Sequence, residues 1–187
     1  EWAKSIAVGP GLSMNVAAAE ITRCVLERDD KVRILDADAL NIIAGEHIDY
    51  KGSREGQIII TPHIMEMSRL TGKAVADIKE HMIESAKEYA IQHSCICILK
   101  DARTVVTDGQ KVYINCTGND GMSTGGCGDV LTGLIAGMTA MGLDAFEAAC
   151  LSVYVHGKAG DYAASGKGRA GMTAADVSEA IAYVLKR

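Results

Sequence analysis

The chain has few large aromatic side chains and no excess of basic charge. Phe and Trp each occur once among 187 residues, which argues against a platform of aromatic rings for stacking bases. Lys and Arg number 19 against 24 Asp and Glu, so the formal net charge is -5. We therefore expect no nucleic-acid partner, which would need a basic footprint. A small anion is still compatible with this charge, because a local nest of backbone N–H groups can bind phosphate.

Long apolar runs and Cys-x-x-Cys pairs are also missing. The longest apolar candidate, Val130 to Met141, is interrupted by two threonines and two glycines. It falls short of the ~18 residues that a membrane span needs, so we interpret it as a buried helix and expect no membrane association. Cys95 and Cys97 alternate with isoleucines and would point the same way from a strand. We interpret the six cysteines as buried thiols of a cytoplasmic protein, rather than as disulfides or zinc ligands.

Apolar residues and glycine are abundant. The hydrophobic content of 48% with 23% charged residues excludes a disordered or fibrous chain. The length fits one domain with a substantial core, and no repeat or linker divides residues 1–187. Glycine is unusual at 20 residues. The start at Glu1-Trp2, without methionine or a signal-peptide pattern, is interpreted as that of a fragment or a processed chain.

Short apolar strands alternate with segments of helical periodicity. Strands are predicted over Ser5–Val8, Val32–Leu35, Ile58–Ile60 and Cys95–Leu99, and helices over Met14–Arg28, Ile64–Leu70, Val75–His93, Asp129–Met141, Asp144–Ala164 and Thr173–Lys186. Asp108-Gly109 between the apolar runs Thr104–Thr107 and Lys111–Cys116 predicts a hairpin. The alternation implies an α/β fold with a mostly parallel sheet and helices on both faces.

Four consecutive predicted strands end in polar or glycine-rich clusters. These clusters are GPGLS, DADALN, TPHIME and KDART. Ligands of parallel α/β sheets bind outside the carboxyl ends of the strands. Any one cluster alone would be an ordinary turn, but four at one edge are hard to explain as turns only. We therefore predict a ligand site at this edge.

A glycine-rich loop over Thr117–Gly128 leads directly into the near-apolar helix predicted from Asp129. Glycines let several backbone N–H groups point at one spot, and a helix N-terminus adds unpaired donors and partial positive charge. Together they predict an anion hole. The loop lacks the Lys-Ser/Thr ending of a Walker A motif, so it is not a P-loop.

Asp129 has two interpretations on this evidence. It can cap the helix, since Asp is a preferred N-cap residue. It can also act as a general base that accepts the proton of a substrate hydroxyl while the N–H groups hold phosphates. Both roles are compatible with one residue.

The segments VGPGLS, LDADALN, TPHIMEMSRLTG and GNDGMSTGGCGDVLTG, in this order, closely resemble the NAD(P)H-hydrate dehydratase family. The resemblance covers about Val8 to Lys186, and it implies a ribokinase-like three-layer sandwich. It also implies a carbon–oxygen lyase of cofactor repair. Such an enzyme uses ADP or ATP to phosphorylate the hydroxyl of the 6-hydroxy hydrate of NADH or NADPH, and elimination of phosphate then restores the dihydronicotinamide. Mg²⁺ is expected to accompany phosphoryl transfer.

The resemblance also implies roles for particular positions. Asp129 matches the catalytic aspartate, which also contacts the substrate. Contacts with the hydrated dinucleotide are implied for Gly11 and His63. Nucleotide binding is implied for Lys100, Asp101, Ala102, Arg103, Thr104, Gly125, Gly126 and Gly128.

The chain departs from the family pattern at several points. Asp101 replaces a usual glycine, Cys127 a usual threonine or serine, and Ile64-Met65 a frequent Pro-Gly. Members of the family normally have a further βαβ-scale segment before GPGLS. We therefore expect an N-terminally incomplete domain, either shortened from a longer protein or completed by a second chain. The parent can carry a fused epimerase domain, and a homo-oligomer is expected.

Two alternative functions remain at this point. One is a ribokinase-like kinase of a vitamin precursor or sugar, since the fold alone does not decide function. The other is a non-catalytic nucleotide-binding fragment.

Several residues also have structural interpretations. Lys100 can be a solvated lysine and His63 a helix cap. Asp36 and Asp38 can orient substrate or metal, or serve turns and caps. Cys127 is interpreted as a small loop-filling residue, and packing in the core or at an interface is expected for Tyr154 and His156.

Overall fold

The computed structural model describes residues 3–53 and 57–186, so the interpretation of Glu1-Trp2 lies outside the described residues. Within these residues, six strands form one sheet in which the strand order follows the chain order. The strands are β1 (Ser5–Val8), β2 (Val32–Leu35), β3 (Ile58–Ile60), β4 (Ile96–Leu99), β5 (Val105–Thr107) and β6 (Val112–Ile114). β1 to β4 are parallel, and β5 pairs antiparallel with both β4 and β6. The parallel sheet and the hairpin are thus confirmed.

Eight α-helices connect and follow the strands in the described residues. They are α1 (Val16–Leu26), α2 (Ala37–Gly45), α3 (Ile64–Thr71), α4 (Val75–Glu80), α5 (Met82–His93), α6 (Cys127–Ala140), α7 (Ala145–Lys167) and α8 (Ala174–Val184). The single helix predicted over Val75–His93 is wrong, because His81 has non-helical dihedrals and separates α4 from α5. α2 was not predicted. Its polar start hid the buried apolar face formed by Leu40, Ile42 and Ile43.

Alternation along the strands divides the core into two layers. Ile34, Ile59, Ile96, Ile98 and Val106 pack with residues of α6 and α7. The intervening strand residues pack on the other face with α2, α3, α4 and α5; they include Leu35, Ile58, Ile60, Cys97, Leu99 and Val105. The protein is therefore a helix–sheet–helix sandwich, and the α/β prediction is confirmed.

The six cysteines are free, but they are not all buried. Cys95 and Cys97 are buried on the same core face, as predicted from their alternation. Cys24 and Cys116 are exposed, so the prediction of a buried thiol is wrong for these two. Among the described residues, no helix is both long and apolar enough to span a bilayer.

Candidate active site

A cavity of about 810 Å³ opens at the carboxyl edge of the sheet. Its size lies within the range of roughly 300–1,000 Å³ that is usual for small-molecule sites. Its walls include many of the residues predicted to contact ligands: His63, Lys100, Asp101, Ala102, Arg103, Thr104 and Gly128. The loop from Thr117 to Thr124, the first turns of α6 and the middle of α7 complete it. The predicted site at this edge therefore corresponds to a real concavity.

Four other predicted residues lie at this edge but outside the cavity wall: Gly11, Gly125, Gly126 and Asp129. Gly11 is exposed in the loop between β1 and α1. The same loop reaches α2, where Asp38 accepts a hydrogen bond from the Ser13 N–H at 2.7 Å. Gly9 lies so close to the backbone that a Cβ there would meet the Asp36 carbonyl oxygen at 1.8 Å. The β1–α1 loop is thus packed beside the start of α2, next to the cavity rather than inside it.

Helix α6 begins two residues earlier than predicted. Its N-cap is Gly126, which has a positive φ of 91°, a conformation that glycine adopts readily. Asp129 is therefore the third residue of the helix, and its interpretation as the N-cap is wrong. Its carboxylate is exposed in the first turn, where the helix dipole favours negative charge. This position leaves the carboxylate accessible to a ligand.

A buried ion pair lies beneath the first turn of α6. The Asp36 Oδ1 accepts a hydrogen bond from the Lys100 Nζ at 2.9 Å, and the Asp36 Oδ2 accepts one from the Thr132 Oγ1 at 2.8 Å. Burial by itself raises the pKa of the Asp36 carboxyl, but Lys100, with hydrogen bonds from Thr61 and Thr132, outweighs this and lowers it. Lys100 is thus a paired ammonium at the cavity wall, and its interpretation as a solvated lysine is wrong. Sequence reasoning missed this network, because its members lie 64 and 96 residues apart.

His63 both caps a helix and faces the cavity. It is the N-cap of α3 and forms a capping box with Glu66. The Glu66 N–H donates to the His63 Nδ1 at 3.2 Å, which requires that nitrogen to be unprotonated. Burial, Lys100 and Arg69 lower the pKa of His63. The capping interpretation is therefore confirmed, and a neutral imidazole with half of its side chain exposed remains at the cavity.

The loop that follows the hairpin is fixed to α7. The Asp161 carboxylate accepts hydrogen bonds from the Gly118 N–H at 3.1 Å and from the Asn119 side chain at 3.0 Å. A Cβ at Gly157 would meet the Thr117 Oγ1 at 2.1 Å, so only glycine permits this approach. Sequence reasoning missed Asp161. The usable signal was that Asp161 follows Gly157 by four residues and so lies on the same face of the helix.

His156 contributes a neutral ring to the cavity wall. Burial is the main reason that its pKa falls to about 4, and interaction with the Cys127 backbone opposes the shift. Its Nε2 is buried without a hydrogen-bond partner among the described residues. The packing interpretation is thus incomplete for His156. Tyr154 is exposed, so it does not pack in the core, and interface packing stays a prediction for that residue.

Comparison with known proteins agrees with this arrangement. The family model described as NAD(P)H-hydrate dehydratase matches residues 1–183. A relative from Moorella thermoacetica, named as a bifunctional NAD(P)H-hydrate repair enzyme, is 45% identical over 97% of the chain and 34% of its own length. The chain thus spans about a third of that relative.

Two solved structures share the fold. The ADP/ATP-dependent NAD(P)H-hydrate dehydratase from Bacillus subtilis, co-crystallised with ATP and Mg²⁺, superposes with a TM-score of 0.86 at 33% identity, covering 97% of this chain and 65% of that one. A ribokinase-like superfamily protein from Enterococcus faecalis gives a TM-score of 0.85 at 27% identity, covering 97% and 62%. The sandwich is therefore ribokinase-like. Since the family model extends over nearly the whole chain, including every strand end that forms the cavity, this chain belongs to the NAD(P)H-hydrate dehydratase family.

Proposed function

We propose that the chain catalyses the nucleotide-dependent dehydration of the hydrate of NADH or NADPH, with ADP or ATP as phosphoryl donor. The observation that carries this proposal is the cavity of about 810 Å³ against the N-terminus of α6, in a chain of this family. A helix N-terminus preceded by glycines is suited to phosphate. The cavity beside this helix N-terminus is large enough for the rest of a nucleotide.

The nucleotide phosphates belong at the first turn of α6. Gly125 has open space around it, and a Cβ on Gly128 would come within 3.5 Å of the Lys100 Nζ. Backbone N–H groups and one ammonium therefore converge at this turn. The remainder of the nucleotide extends along the strand-end segment Lys100–Thr104 and the loop fixed by Asp161, both of which line the cavity.

The hydrate belongs at the side of the cavity formed by His63, toward the adjacent β1–α1 loop that carries Gly11. Asp129 then takes the proton of the substrate hydroxyl as the oxygen attacks the terminal phosphorus. A new O–P bond forms and the bond to the shortened nucleotide breaks. The ring nitrogen lone pair next expels phosphate, a far better leaving group than hydroxide, and the C–O bond breaks. A proton is lost from the adjacent ring carbon, which restores the dihydronicotinamide.

Mg²⁺ would enter with the nucleotide phosphates. In the part of the chain that the structure describes, no group of three or more His, Cys, Asp or Glu side chains could hold a metal. This fits Mg²⁺, which commonly keeps several waters and is bound through substrate phosphates and one or two carboxylates. When bound, the ion neutralises charge on the transferring phosphoryl group.

The test is recovery of NADH absorbance when the purified chain is mixed with NADH hydrate, Mg²⁺ and ADP or ATP. We expect recovery that needs the nucleotide and yields one phosphate per NADH. Phosphorylation of a free vitamin precursor or sugar, without action on the hydrate, would instead assign the kinase activity. ADP binding without either reaction would leave a nucleotide-binding protein.

Self-association of the chain stays a prediction, to be measured by light scattering.

A further inference from the structure

The buried ion pair beneath α6 has a desolvation cost that a contribution to stability alone does not explain. Charge pairs that leave water lose much of their attraction to desolvation, and apolar residues of similar volume often stabilise a fold as well. The Asp36 side chain is 2% exposed, whereas the Lys100 side chain keeps 21% exposure and lines the cavity. One member of the pair is therefore sealed in the protein, and the other reaches the site.

The two oxygens of Asp36 bind different elements. Oδ1 holds the ammonium of Lys100 at the end of β4, and Oδ2 holds the hydroxyl of Thr132 in α6. The Lys100 backbone is fixed as well, because its N–H donates to the Pro62 carbonyl at 2.8 Å. Thr132 follows Gly128 by four residues and so lies on the same helix face. The carboxylate consequently sets the ammonium at a defined place against the first turn of α6.

We propose that Asp36 is a positioning residue of the nucleotide site. It holds the Lys100 ammonium beside the place that the terminal phosphate of a nucleoside diphosphate would occupy. Thr132 fixes the carboxylate in turn. The inference rests on the proposed function, since it assigns the cavity to a nucleotide. Lys100 then acts as an N–H donor in a fixed position, beside the backbone N–H groups of the helix.

The effect of the net charge of the site on ADP binding can be separated experimentally from the effect of the fixed position of the Lys100 ammonium. The pair carries no net charge, so Asp36→Asn makes the site more positive while it releases the ammonium from its place. A role in overall charge predicts tighter ADP binding by this variant. A positioning role predicts weaker binding, because an unheld lysine loses side-chain entropy when it meets the phosphate.

The test is a double-mutant cycle of Asp36→Asn and Lys100→Met, with ADP affinity measured by calorimetry. We expect Asp36→Asn alone to weaken ADP binding about tenfold, equivalent to ~1.4 kcal/mol. In the Lys100→Met background the same change should leave affinity unchanged or raise it, because it then removes an unpaired carboxylate beside the phosphates. Equal losses in both backgrounds, or no loss in the single variant, would overturn the inference.

A second pair of variants keeps the charges intact and decides the matter if Asp36→Asn does not fold. Thr132 and Thr139 are both buried in α6, but the Thr139 hydroxyl bonds to its own helix, at the Ile135 carbonyl. We expect Thr132→Val to weaken ADP binding several-fold and Thr139→Val to match the wild type. Equal affinities for the two variants would contradict the role given to Asp36.

Turnover by the wild-type chain is measured separately, so the two proposals can fail independently. A chain that binds ADP but does not restore NADH contradicts the proposed reaction, and the binding cycle still decides the role of Asp36. A wild-type chain without ADP affinity overturns the role of Asp36, and one that binds neither ADP nor ATP overturns both proposals.

Discussion

At the scale of single residues, Asp129 is the group whose chemistry is most directly testable. Its carboxylate lies exposed in the first turn of α6, and the N-cap is Gly126. Asp129→Asn therefore removes the proposed base without removing the cap. Because general-base catalysis is typically worth about 10²–10⁴ in rate, we expect kcat for NADH hydrate to fall by that factor. Thermal unfolding and ADP affinity should change little.

The measurement is steady-state turnover of both proteins at saturating ADP, with calorimetry for binding. Asp77→Asn is a suitable control, since Asp77 is likewise an exposed third residue of a helix, α4, and does not line the cavity. Activity above about a tenth of wild type in a folded Asp129→Asn variant would contradict the base, because the low end of the range requires a hundredfold loss.

At the scale of elements, the proposed nucleotide site requires the first turn of α6 to bring backbone N–H groups close to phosphate. Gly128→Ala adds a methyl group toward the Lys100 ammonium, and alanine is a better helix former than glycine by about 0.5–1 kcal/mol. The variant should therefore unfold at an equal or higher temperature while its ADP affinity falls about tenfold. This opposite movement of stability and binding separates a functional glycine from a structural one.

Gly133→Ala provides the matched control in the same helix. Among the described residues, no heavy atom beyond the neighbouring residues and the backbone of its own helix turn lies within 4 Å of a Cβ placed there, so the helix should gain the same stability with no change in ADP affinity. If Gly128→Ala binds ADP as well as Gly133→Ala does, close approach at Gly128 is not needed and the phosphates lie elsewhere.

The sequence predicted elements better than it predicted contacts between them. Val32–Leu35 and Ile58–Ile60 are continuous apolar runs between turns and were placed with their observed ends. The helix break at His81 carries no glycine or proline, and so local composition did not reveal it. The partners of Asp36 were also hidden, because Lys100 and Thr132 meet it through tertiary packing. The strand-end clusters thus located the cavity, while the bonding within it required the fold.

At the scale of the whole molecule, the neutral His156 links stability to pH. Its pKa in the folded protein is about 4, against an ordinary value of 6.5. Between these pH values His156 is therefore protonated in the unfolded chain and neutral in the folded one. Stability should therefore fall as the pH decreases from 6.5 to 4, by up to about 3 kcal/mol from this residue. Denaturant unfolding of wild type and His156→Gln at a series of pH values measures this share.

The comparison between the two proteins isolates His156 from other groups. The lowered pKa of His63 acts in the same direction, and the raised pKa of Glu66 acts in the opposite one, but both are present in each protein. The His156→Gln curve should be the shallower between pH 6.5 and 4. Parallel curves would mean that the ring is not kept neutral by burial.

The agreement between strand order and chain order has a consequence for how the molecule is made. Each strand pairs with the one synthesised before it, so the sheet can grow at one edge while the chain leaves the ribosome. Helix α6, by contrast, packs back on β1 and β2, and the bond from Thr132 to Asp36 joins residues 96 positions apart. The turn proposed to bind phosphate is therefore assembled after the β-sheet on which it rests.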